Sequence, residues 1–363
     1  MDQKVDQFKI PENVVAYSHV NNSERALVIG AGFGGLAVAI RLALKGYDVQ
    51  VLERLGSAGG RAYVHRRHGF TFDAGPTIIT APFLLEELWD MCGKKMSDDV
   101  DLRAMDPFYQ IRFADGRVFN YTGDLERMKV EVAKFSPKDL PGYLRFLDEA
   151  ESCYKLAFED LGDVAFDNVQ DLVKAMPNLI KMRAWKSLYS VVAKYIKDPQ
   201  LREVMSFHPL LIGGNPFSVT AAYALINSLE RTWGVHSAMG GTGAIVKAMV
   251  GLLDSRGIQL RLNAPVTQIR IENGKACGVE LASGEFIAAD IVVSNADTAW
   301  TYKNLVASEH RRHWTNHKIE KGRYSMGLFV WYFGTSKQYH DVPHHMMVLG
   351  PRYKELLTDI FKR

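Results

Sequence analysis

The chain has 363 residues, of which 47% are hydrophobic and 23% charged, and its net charge at pH 7 is +3. These values are typical of a globular protein of about two domains, and so weak a charge excludes a strongly basic nucleic-acid-binding protein. The three cysteines, Cys92, Cys153 and Cys277, are isolated in the sequence. Their spacing excludes a disulfide framework and a zinc site, and it predicts a reducing, cytoplasmic setting.

Residues 1–22 are polar, and we predict that they form an N-terminal tail. They lack the basic start, the apolar run and the small-residue cleavage site of a secretory signal. Farther along the chain, no stretch reaches the roughly 18 uncharged apolar residues that a membrane-spanning helix needs. The sequence therefore predicts a protein that does not cross a membrane.

The first strong motif begins with a short apolar run, ALVIG, which is typical of a buried parallel strand. Gly30, Gly32 and Gly35 then form GxGxxG at the start of a predicted helix, and a second strand, YDVQVLE, ends at Glu53. In such a unit the glycines make a tight turn, admit a pyrophosphate to the helix N-terminus and pack the helix on the strand. Glu53 is placed to accept hydrogen bonds from ribose hydroxyls, so the unit predicts a dinucleotide site.

A second glycine cluster, Gly59 and Gly60 with Arg61, follows the glutamate. A guanidinium beside flexible backbone can clamp a diphosphate through two hydrogen bonds. An NAD dehydrogenase has no general use for such a group, so the cluster favours a long, extended dinucleotide. The alternative is an ordinary loop with a surface arginine.

The next residues, GRAYVHRRHGFTFDAGPTII, carry a family resemblance. Together with the preceding glycines and glutamate, their order and spacing resemble the FAD domain of the phytoene desaturase branch of the flavin amine oxidase and desaturase superfamily. The resemblance implies a bound FAD and a position near the flavin ring for the segment Asp73–Thr77. Taken without the family, DAGPT is a turn marked by Gly75 and Pro76.

The resemblance also implies a set of cofactor-binding residues. Val266, in a returning α/β segment, is expected to hold the adenine through its backbone, although the same letters fit an ordinary α/β unit. Gly241 and Gly243 lack a preceding apolar strand and a third glycine, so we expect no second dinucleotide site. The predicted FAD-binding residues are Gly30, Gly32, Phe33, Gly34, Gly35, Glu53, Arg54, Gly60, Arg61, Pro76, Thr77 and Val266.

The middle of the chain changes character, because helical periodicity rich in aromatic and long aliphatic residues runs from Phe108 to about Trp233. We therefore expect an α/β fold in which a helix-rich α+β substrate domain is inserted into a discontinuous, Rossmann-like FAD-binding domain. The predicted limits are 23–106 and 236–300 for the FAD-binding domain, and 107–235 and 301–363 for the substrate domain.

Within the middle region, NLIKMRAWKSLYSVVAKYIKD predicts an amphipathic helix. From Lys174 to Lys197 there are six basic residues and no acidic residue, a pattern that suits a helix on an anionic membrane surface. A helix that packs on the core and exposes its lysines fits equally well. The predicted apolar face consists of Leu179, Met182, Trp185, Leu188, Tyr189, Val192, Tyr195 and Ile196.

The stretch SFHPLLIGGNPFSVTAAYALINSLERTWGV also resembles phytoene desaturases. Its aromatic residues could line an apolar tunnel or fill a core, and composition does not separate these. The resemblance implies successive dehydrogenations of phytoene or a similar C40 polyene, ending at lycopene. A hydride would pass to the flavin while a proton is lost beside it, and a quinone or oxygen would reoxidise the flavin.

For that proton, Asp148 is the candidate acceptor, because it matches an acid of the related desaturases. We expect it to be buried in an apolar tunnel, where it could act as a general base. The alternative is that Asp148, Glu149 and Glu151 form one solvated helix face. Relatives have a basic residue where this chain has Glu151, so an acid–arginine pair is not expected here.

Three histidines near the end of the chain, His340, His344 and His345, look at first like metal ligands. No helical acid–histidine spacing accompanies them, and flavin desaturation needs no metal. We therefore expect surface or domain-interface residues and no metal site.

Other functions fit the same scaffold. They include another polyene oxidoreductase (a diapophytoene desaturase, a carotenoid isomerase or a 3,4-desaturase), an amine oxidase, and a non-catalytic prenyl-lipid-binding protein. The intact dinucleotide glycines favour an enzyme. We expect peripheral attachment to the inner face of the cell membrane. Relatives continue past Arg363 into a final glycine-rich FAD segment, so we expect this chain to hold FAD less tightly.

Overall fold

The structure is a computed structural model, and it describes residues 24–362. The predicted tail, residues 1–22, lies outside this part of the chain. The strands of the described part are β1 (Arg25–Ile29), β2 (Asp48–Leu52), β3 (Val64–Arg67), β4 (Phe70–Asp73), β5 (Leu102–Ala104), β6 (Tyr109–Phe113), β7 (Val118–Tyr121), β8 (His236–Ala238), β9 (Gln259–Arg261), β10 (Val266–Glu272), β11 (Lys275–Leu281), β12 (Phe286–Ala288), β13 (Ile291–Ser294) and β14 (Met346–Leu349).

Helices of varied length connect these strands, and short 3₁₀ turns occur as well, among them Gly60–Ala62 and His208–Ile212. The α-helices are α1 (Phe33–Leu44), α2 (Pro82–Met91), α3 (Leu125–Phe135), α4 (Leu140–Tyr154), α5 (Val169–Lys181), α6 (Leu188–Tyr195), α7 (Pro199–Ser206), α8 (Leu225–Trp233), α9 (Thr242–Ser255), α10 (Thr298–Trp300), α11 (Asn316–Glu320) and α12 (Tyr353–Phe361). Within residues 24–362, every helix is too short or too polar to traverse a bilayer.

The described residues divide into two compact units. We call the first, residues 24–77, 83–102 and 238–322, the glycine-rich unit. The second, residues 78–82, 103–237 and 323–362, is the helical unit. The final change of unit comes after residue 322, later than the limit near 300 that the sequence suggested. Leu305 explains the difference, because it is buried in the core of the glycine-rich unit.

The glycine-rich unit is built on a parallel sheet of four strands in the order β13, β1, β2, β9. Leu27 and Leu52 are almost fully buried, as expected for parallel strands that are covered on both faces. Between β1 and β2 the chain forms α1, so the predicted strand–helix–strand unit is present. A second, antiparallel sheet, β10–β11–β12, contributes to the same core through Ile269 and Val279.

The helical unit contains its own core. Strand β6 pairs in parallel with β14 and antiparallel with β7, so this unit combines a small mixed sheet with helices. Its largest fully buried side chains are aromatic, namely Tyr109, Phe119, Tyr121, Tyr143, Phe146 and Phe207. Aromatic rings of this size bury large areas, and their clustering accounts for much of the stability of the unit.

A polar cluster of Tyr109, His208 and Glu230 lies inside this aromatic core, and all three residues are at most 1% exposed. The hydroxyl of Tyr109 donates to Glu230 Oε1 at 2.6 Å, and His208 Nε2 lies 3.1 Å from Glu230 Oε2. Burial, and then the charge of Glu230, raise the pKa of Tyr109 well above its usual value, so its hydroxyl remains a donor. The cluster joins β6, the 3₁₀ turn before Gly213, and α8.

The predicted amphipathic helix is interrupted. Helix α5 ends at Lys181, Arg183 has a left-handed backbone (φ 53°), and α6 begins only at Leu188. Met182, Leu188, Val192 and Ile196, which belong to the predicted apolar face, are buried in the core of the helical unit. That face therefore packs largely on the protein, but Trp185, one of its predicted members, is 67% exposed.

The polar cluster gives the first prediction. Replacing Glu230 with Gln removes the charge that two buried partners contact, and hydrogen bonds to charged groups contribute about 2 kcal/mol. We expect Glu230→Gln to lower the free energy of unfolding by about 2 kcal/mol, measured by urea denaturation. The matched control is Glu126→Gln, whose carboxylate forms an exposed i,i+3 pair with Lys129. Equal urea midpoints for the two variants would contradict a stabilising role for the charge of Glu230.

Candidate functional site: two glycine-rich turns

The first glycine-rich turn leaves β1 and starts α1. Gly30 has φ 94°, a value that favours glycine, and Gly32 precedes the first residue of the helix, Phe33. No side chain caps this N-terminus, and the first turn of α1 has no acidic residue. The backbone N–H groups therefore point their partial positive charge outward, as an anion-binding helix end does.

The next two glycines are required by close packing. A Cβ atom on Gly35 would overlap the carbonyl oxygen of Gly30. One on Gly34 would lie 2.6 Å from Oδ1 of Asn295, the residue that follows β13. Asn295 is held there by its own backbone, whose N–H donates to the carbonyl of Ile29 at 2.9 Å. Side chains on either glycine would push the turn away from the sheet.

The second glycine cluster lies directly against the first. The N–H of Gly59 donates to the carbonyl of Ala31 at 2.8 Å, and Gly32 and Gly59 form a parallel β-bridge. A Cβ atom on Gly60 would come within 3.0 Å of the Cα of Gly32. Gly59 and Gly60 both have positive φ, 129° and 58°. Two separate stretches of sequence thus make one continuous glycine surface beside the N-terminus of α1.

Two predicted cationic residues flank this surface. Arg61 lies on the 3₁₀ turn Gly60–Ala62 and is exposed, so its guanidinium is accessible to a phosphate group. Arg54 is also exposed. The backbone of the DAGPT segment passes close to this turn, since a Cβ on Gly75 would overlap the carbonyl oxygen of Arg61. The N–H of Ala74 donates to the carbonyl of Tyr63 at 2.8 Å and joins the two stretches.

Glu53 connects the first glycine-rich turn to the residues that lead to the second through hydrogen bonds from backbone N–H groups. Its carboxylate accepts the N–H of Ala31 at 2.8 Å and that of Leu55 at 2.9 Å, and the residue is 5% exposed. Its own carbonyl accepts the N–H of Ala264 at 2.8 Å. Val266 follows two residues later, at the start of β10, so the structure brings the predicted adenine-binding segment beside Glu53. The ribose contact of Glu53 and the adenine contact of Val266 remain predictions.

The DAGPT segment is tied to α9. Asp73 accepts the N–H of Thr242 at 3.2 Å and that of Gly243 at 3.3 Å, and the hydroxyl of Thr242 donates to the carbonyl of Pro76. The carboxylate of Asp73 therefore caps the N-terminus of this helix. This explains Gly241, because a Cβ there would overlap the carboxylate of Asp73, whereas a Cβ on Gly243 would overlap the side chain of Val64. Pro76 and Thr77, the two predicted FAD-binding residues of this segment, are exposed.

Asp148 does not occupy the environment that the sequence suggested. It is exposed on α4, because the helical period places Tyr143, Leu147 and Ala150 on the buried face. The expected burial of Asp148 is therefore not found in this structure. Its role as proton acceptor remains a prediction.

The neighbours of Asp148 have partners of their own. Glu149 accepts from Tyr195 at 2.8 Å and pairs with Arg183 at 3.2 Å. Glu151 pairs with Lys155, and both of these side chains are more than half exposed. Arg183 thus supplies the basic partner in this region, from the joint after α5, and its partner is Glu149.

Sequence reasoning missed Asn295 and Thr242. Asn295 stands at the carboxyl end of β13, next to the dinucleotide turn in the sheet, which is where parallel sheets bind ligands. The sequence alone could not give this position, because it follows from the order of the strands in the sheet.

The predicted histidines lie close together. His344 and His345 bring their Nδ1 atoms within 3.1 Å, and burial lowers the pKa of His345 to about 4. Residues 24–362 contain no group of three or more His, Cys, Asp or Glu that could hold a metal ion.

Comparison with known families agrees with this geometry. The family of flavin-containing amine oxidoreductases matches residues 33–346, and the chain belongs to this family. The phytoene desaturase (neurosporene-forming) of Cereibacter sphaeroides is 46% identical over 347 residues, which are 95% of this chain and 67% of the relative. Lycopene-forming phytoene desaturases of Paracoccus sp. and Pantoea ananas are 45% and 44% identical, over 95% and 92% of this chain and 69% and 68% of the relatives.

The chain thus spans about two thirds of the length of these relatives and belongs to the phytoene desaturase branch. FAD is its cofactor. The glycine surface, the uncapped N-terminus of α1 and the accessible Arg61 fit the diphosphate of such a dinucleotide.

Solved structures share the fold at low identity. An oxidoreductase from Methanosarcina mazei superimposes with a TM-score of 0.55 at 20% identity, over 77% of this chain and 61% of the other. A putrescine oxidase variant with redesigned cofactor binding gives 0.55 at 17% identity, over 78% of this chain and 60% of the other. At such identities the likeness concerns the fold alone.

The packing of Gly35 gives the second prediction. We expect Gly35→Ala to displace the dinucleotide turn, to lower stability by about 1–3 kcal/mol through overpacking, and to reduce flavin content. The matched control is Gly251→Ala, a glycine in α9 with open space around its Cα, where alanine favours the helix. The measurements are the thermal midpoint and the flavin absorbance of purified protein. A Gly35→Ala variant as stable and as flavin-rich as Gly251→Ala would refute the packing argument.

Proposed function

We propose that the chain is an FAD-dependent carotenoid desaturase that converts phytoene into more unsaturated carotenes, up to lycopene. The observation that carries the proposal is the joining of the two glycine-rich turns into one dinucleotide surface, in a chain 44–47% identical to named phytoene desaturases. The relatives include both neurosporene-forming and lycopene-forming enzymes, so the end product is the finer part of the proposal.

The chemistry divides between cofactor and protein. When bound, FAD supplies a flavin that can accept a hydride from a carbon of the polyene. The paired glycine turns and Arg61 would bind the diphosphate, and the Asp73 cap on α9 would fix the segment proposed to lie near the flavin ring. The protein otherwise has to position the polyene and exclude water.

The substrate has no polar group to recognise, so its binding must rest on burial of apolar surface. The proton lost with each hydride needs an acceptor, and we keep Asp148 in that role. The neighbouring Glu149 is held by Tyr195 and Arg183, and is less available for it.

The remaining partners are proposals of the same kind. A quinone or oxygen would take the electrons from the reduced flavin. Phytoene is a hydrocarbon that dissolves in membranes, so we propose that the protein works attached to the inner face of the cell membrane. A non-catalytic prenyl-lipid-binding protein is the less favoured alternative, because such a protein needs no paired dinucleotide turns.

The third prediction concerns pigments. Bacterial cells that accumulate phytoene are made to express the chain, either alone or fused to the last third of the Cereibacter sphaeroides relative. Chromatography should detect new coloured carotenes, whose spectra give the number of added double bonds. The Gly35→Ala form, poor in flavin, should yield no pigment.

Colour from the fusion alone would support the desaturase assignment and show that residues beyond these 363 are needed. Unchanged phytoene with both expressed, flavin-loaded proteins would reject the substrate.

A further inference from the structure

Helix α5 exposes an apolar face to solvent. Its members repeat at helical spacing, and their exposed fractions range from 44% to 75%. Trp185, after the end of the helix, is 67% exposed. A soluble surface scatters such residues singly, whereas a contiguous group marks an interaction site. The α5 apolar face consists of Val169, Leu172, Val173, Met176 and Ile180.

This face is held in place by the rest of the helical unit. Asn168 caps the N-terminus of α5, Ala175 is 2% exposed and Met182 is buried in the core. At the other end, the carbonyl of Lys186 accepts the N–H of Ala221 at 2.8 Å. The helix is therefore docked through its opposite side, and its apolar face points away from the core.

Basic residues lie on α5 and in the segment that follows it. Lys174 and Lys181 lie on the helix itself and are exposed, and Lys186 and Lys194 follow in the linker and in α6. Desolvation, and then the charges of Arg183 and Lys186, lower the pKa of Lys194, while Glu149 acts in the opposite direction. No acidic residue occurs from 174 to 197, although Asp171 lies in the first turn of α5.

We propose that the α5 apolar face and Trp185 insert into the surface of an anionic phospholipid bilayer, with these lysines at the headgroup phosphates. This inference rests on the proposed function, since it names the surface that meets the membrane. It also changes the surface that the sequence suggested. Of the predicted apolar face, Leu188 and Val192 are buried in the core and Trp185 is exposed, whereas the other exposed apolar residues belong to a different face, on α5.

The basic charge near the α5 apolar face and the length of α5 favour an anionic bilayer over a second copy of the chain. A second copy of the chain, docked on the same face, would bring its own lysines against these, which is unfavourable. An anionic bilayer supplies the opposite charge, at about 1 kcal/mol for each basic residue near the surface. Helix α5 has 13 residues and is about 20 Å long, so it can lie in the plane of the interface but cannot span the bilayer.

The test is co-sedimentation of the full chain with vesicles of phosphatidylcholine, alone or mixed with phosphatidylglycerol. We expect binding to the mixed vesicles that is at least about tenfold stronger than to the neutral ones. Val173→Asp should lower it by at least about tenfold, because a charge would enter the apolar layer. The matched control is Val130→Asp on α3, which is 57% exposed but belongs to another surface and should bind like the unchanged protein.

The contribution of charge is tested with the double variant Lys186→Glu, Lys194→Glu. The control is Lys138→Glu, at an exposed lysine elsewhere in the chain. The double variant should lose the preference for phosphatidylglycerol, and the control should keep it. Inorganic phosphate should displace the protein no better than chloride at equal ionic strength, because the ligand is a bilayer and not a free anion. Displacement by phosphate alone would overturn the bilayer as occupant.

Two further outcomes would also overturn the proposal. The first is vesicle binding that is unchanged by Val173→Asp and by the charge variants. The second is a Val173→Asp protein that binds vesicles normally but is a monomer in analytical ultracentrifugation where the unchanged protein is a dimer. The pigment assay is independent of these measurements. Vesicle binding without pigment would reject phytoene as the substrate but support the α5 apolar face as the membrane surface. Pigment without vesicle binding would reject this membrane surface but support phytoene as the substrate.

Discussion

The proposed flavin site depends on a close approach between two stretches of backbone. Gly32 and Gly59 pair as a β-bridge, and the N–H of Gly59 reaches the carbonyl of Ala31. The two turns could not approach so closely if side chains lay between them, because a Cβ on Gly60 would come within 3.0 Å of the Cα of Gly32. Everything else at the site is arranged around this contact, including the accessible Arg61.

A single carboxylate supports that contact. Glu53 accepts backbone N–H groups on both sides of the turn, and the segment leading to β10 binds to its carbonyl. A second carboxylate, Asp73, joins the DAGPT segment to α9 in the same way. In both cases a buried or half-buried acid is satisfied by backbone donors, so each acts by fixing loops that would otherwise be free to move.

The helical unit has a different physical basis. Its core is aromatic and aliphatic, apart from the cluster of Tyr109, His208 and Glu230, whose polar groups contact one another. Its buried aromatic side chains pack on one another, so this unit is stabilised mainly by the burial of apolar surface. The α5 apolar face extends the same character to the surface.

The sequence was sufficient for the features that depend on local pattern. The strand–helix–strand unit, its glycines and Glu53 follow from short motifs with fixed spacing, and the four-stranded parallel sheet agrees with them. What it could not give depends on packing between distant segments. The approach of Asn295 to Gly34 needs the strand order, and the cap of Asp73 on α9 joins residues 169 positions apart.

Helical periodicity was misleading in one place, because it continued one amphipathic helix through Arg183, where a left-handed backbone ends α5. The pattern of apolar residues was real, but tertiary contacts decided which face they cover. The expected burial of Asp148 had another origin. It came from the family resemblance, whereas the spacing of the apolar residues of α4 places Asp148 on the exposed side.

The central claim is that the paired turns bind the diphosphate of FAD. The most direct measurement is a titration of the purified protein with FAD and with riboflavin, which has the same ring but no diphosphate or adenine, followed by flavin fluorescence. We predict that FAD binds at least about 100-fold more tightly than riboflavin, a difference of about 2.7 kcal/mol. Equal affinities for the two flavins would contradict the claim, because the paired turns would then contribute nothing to binding.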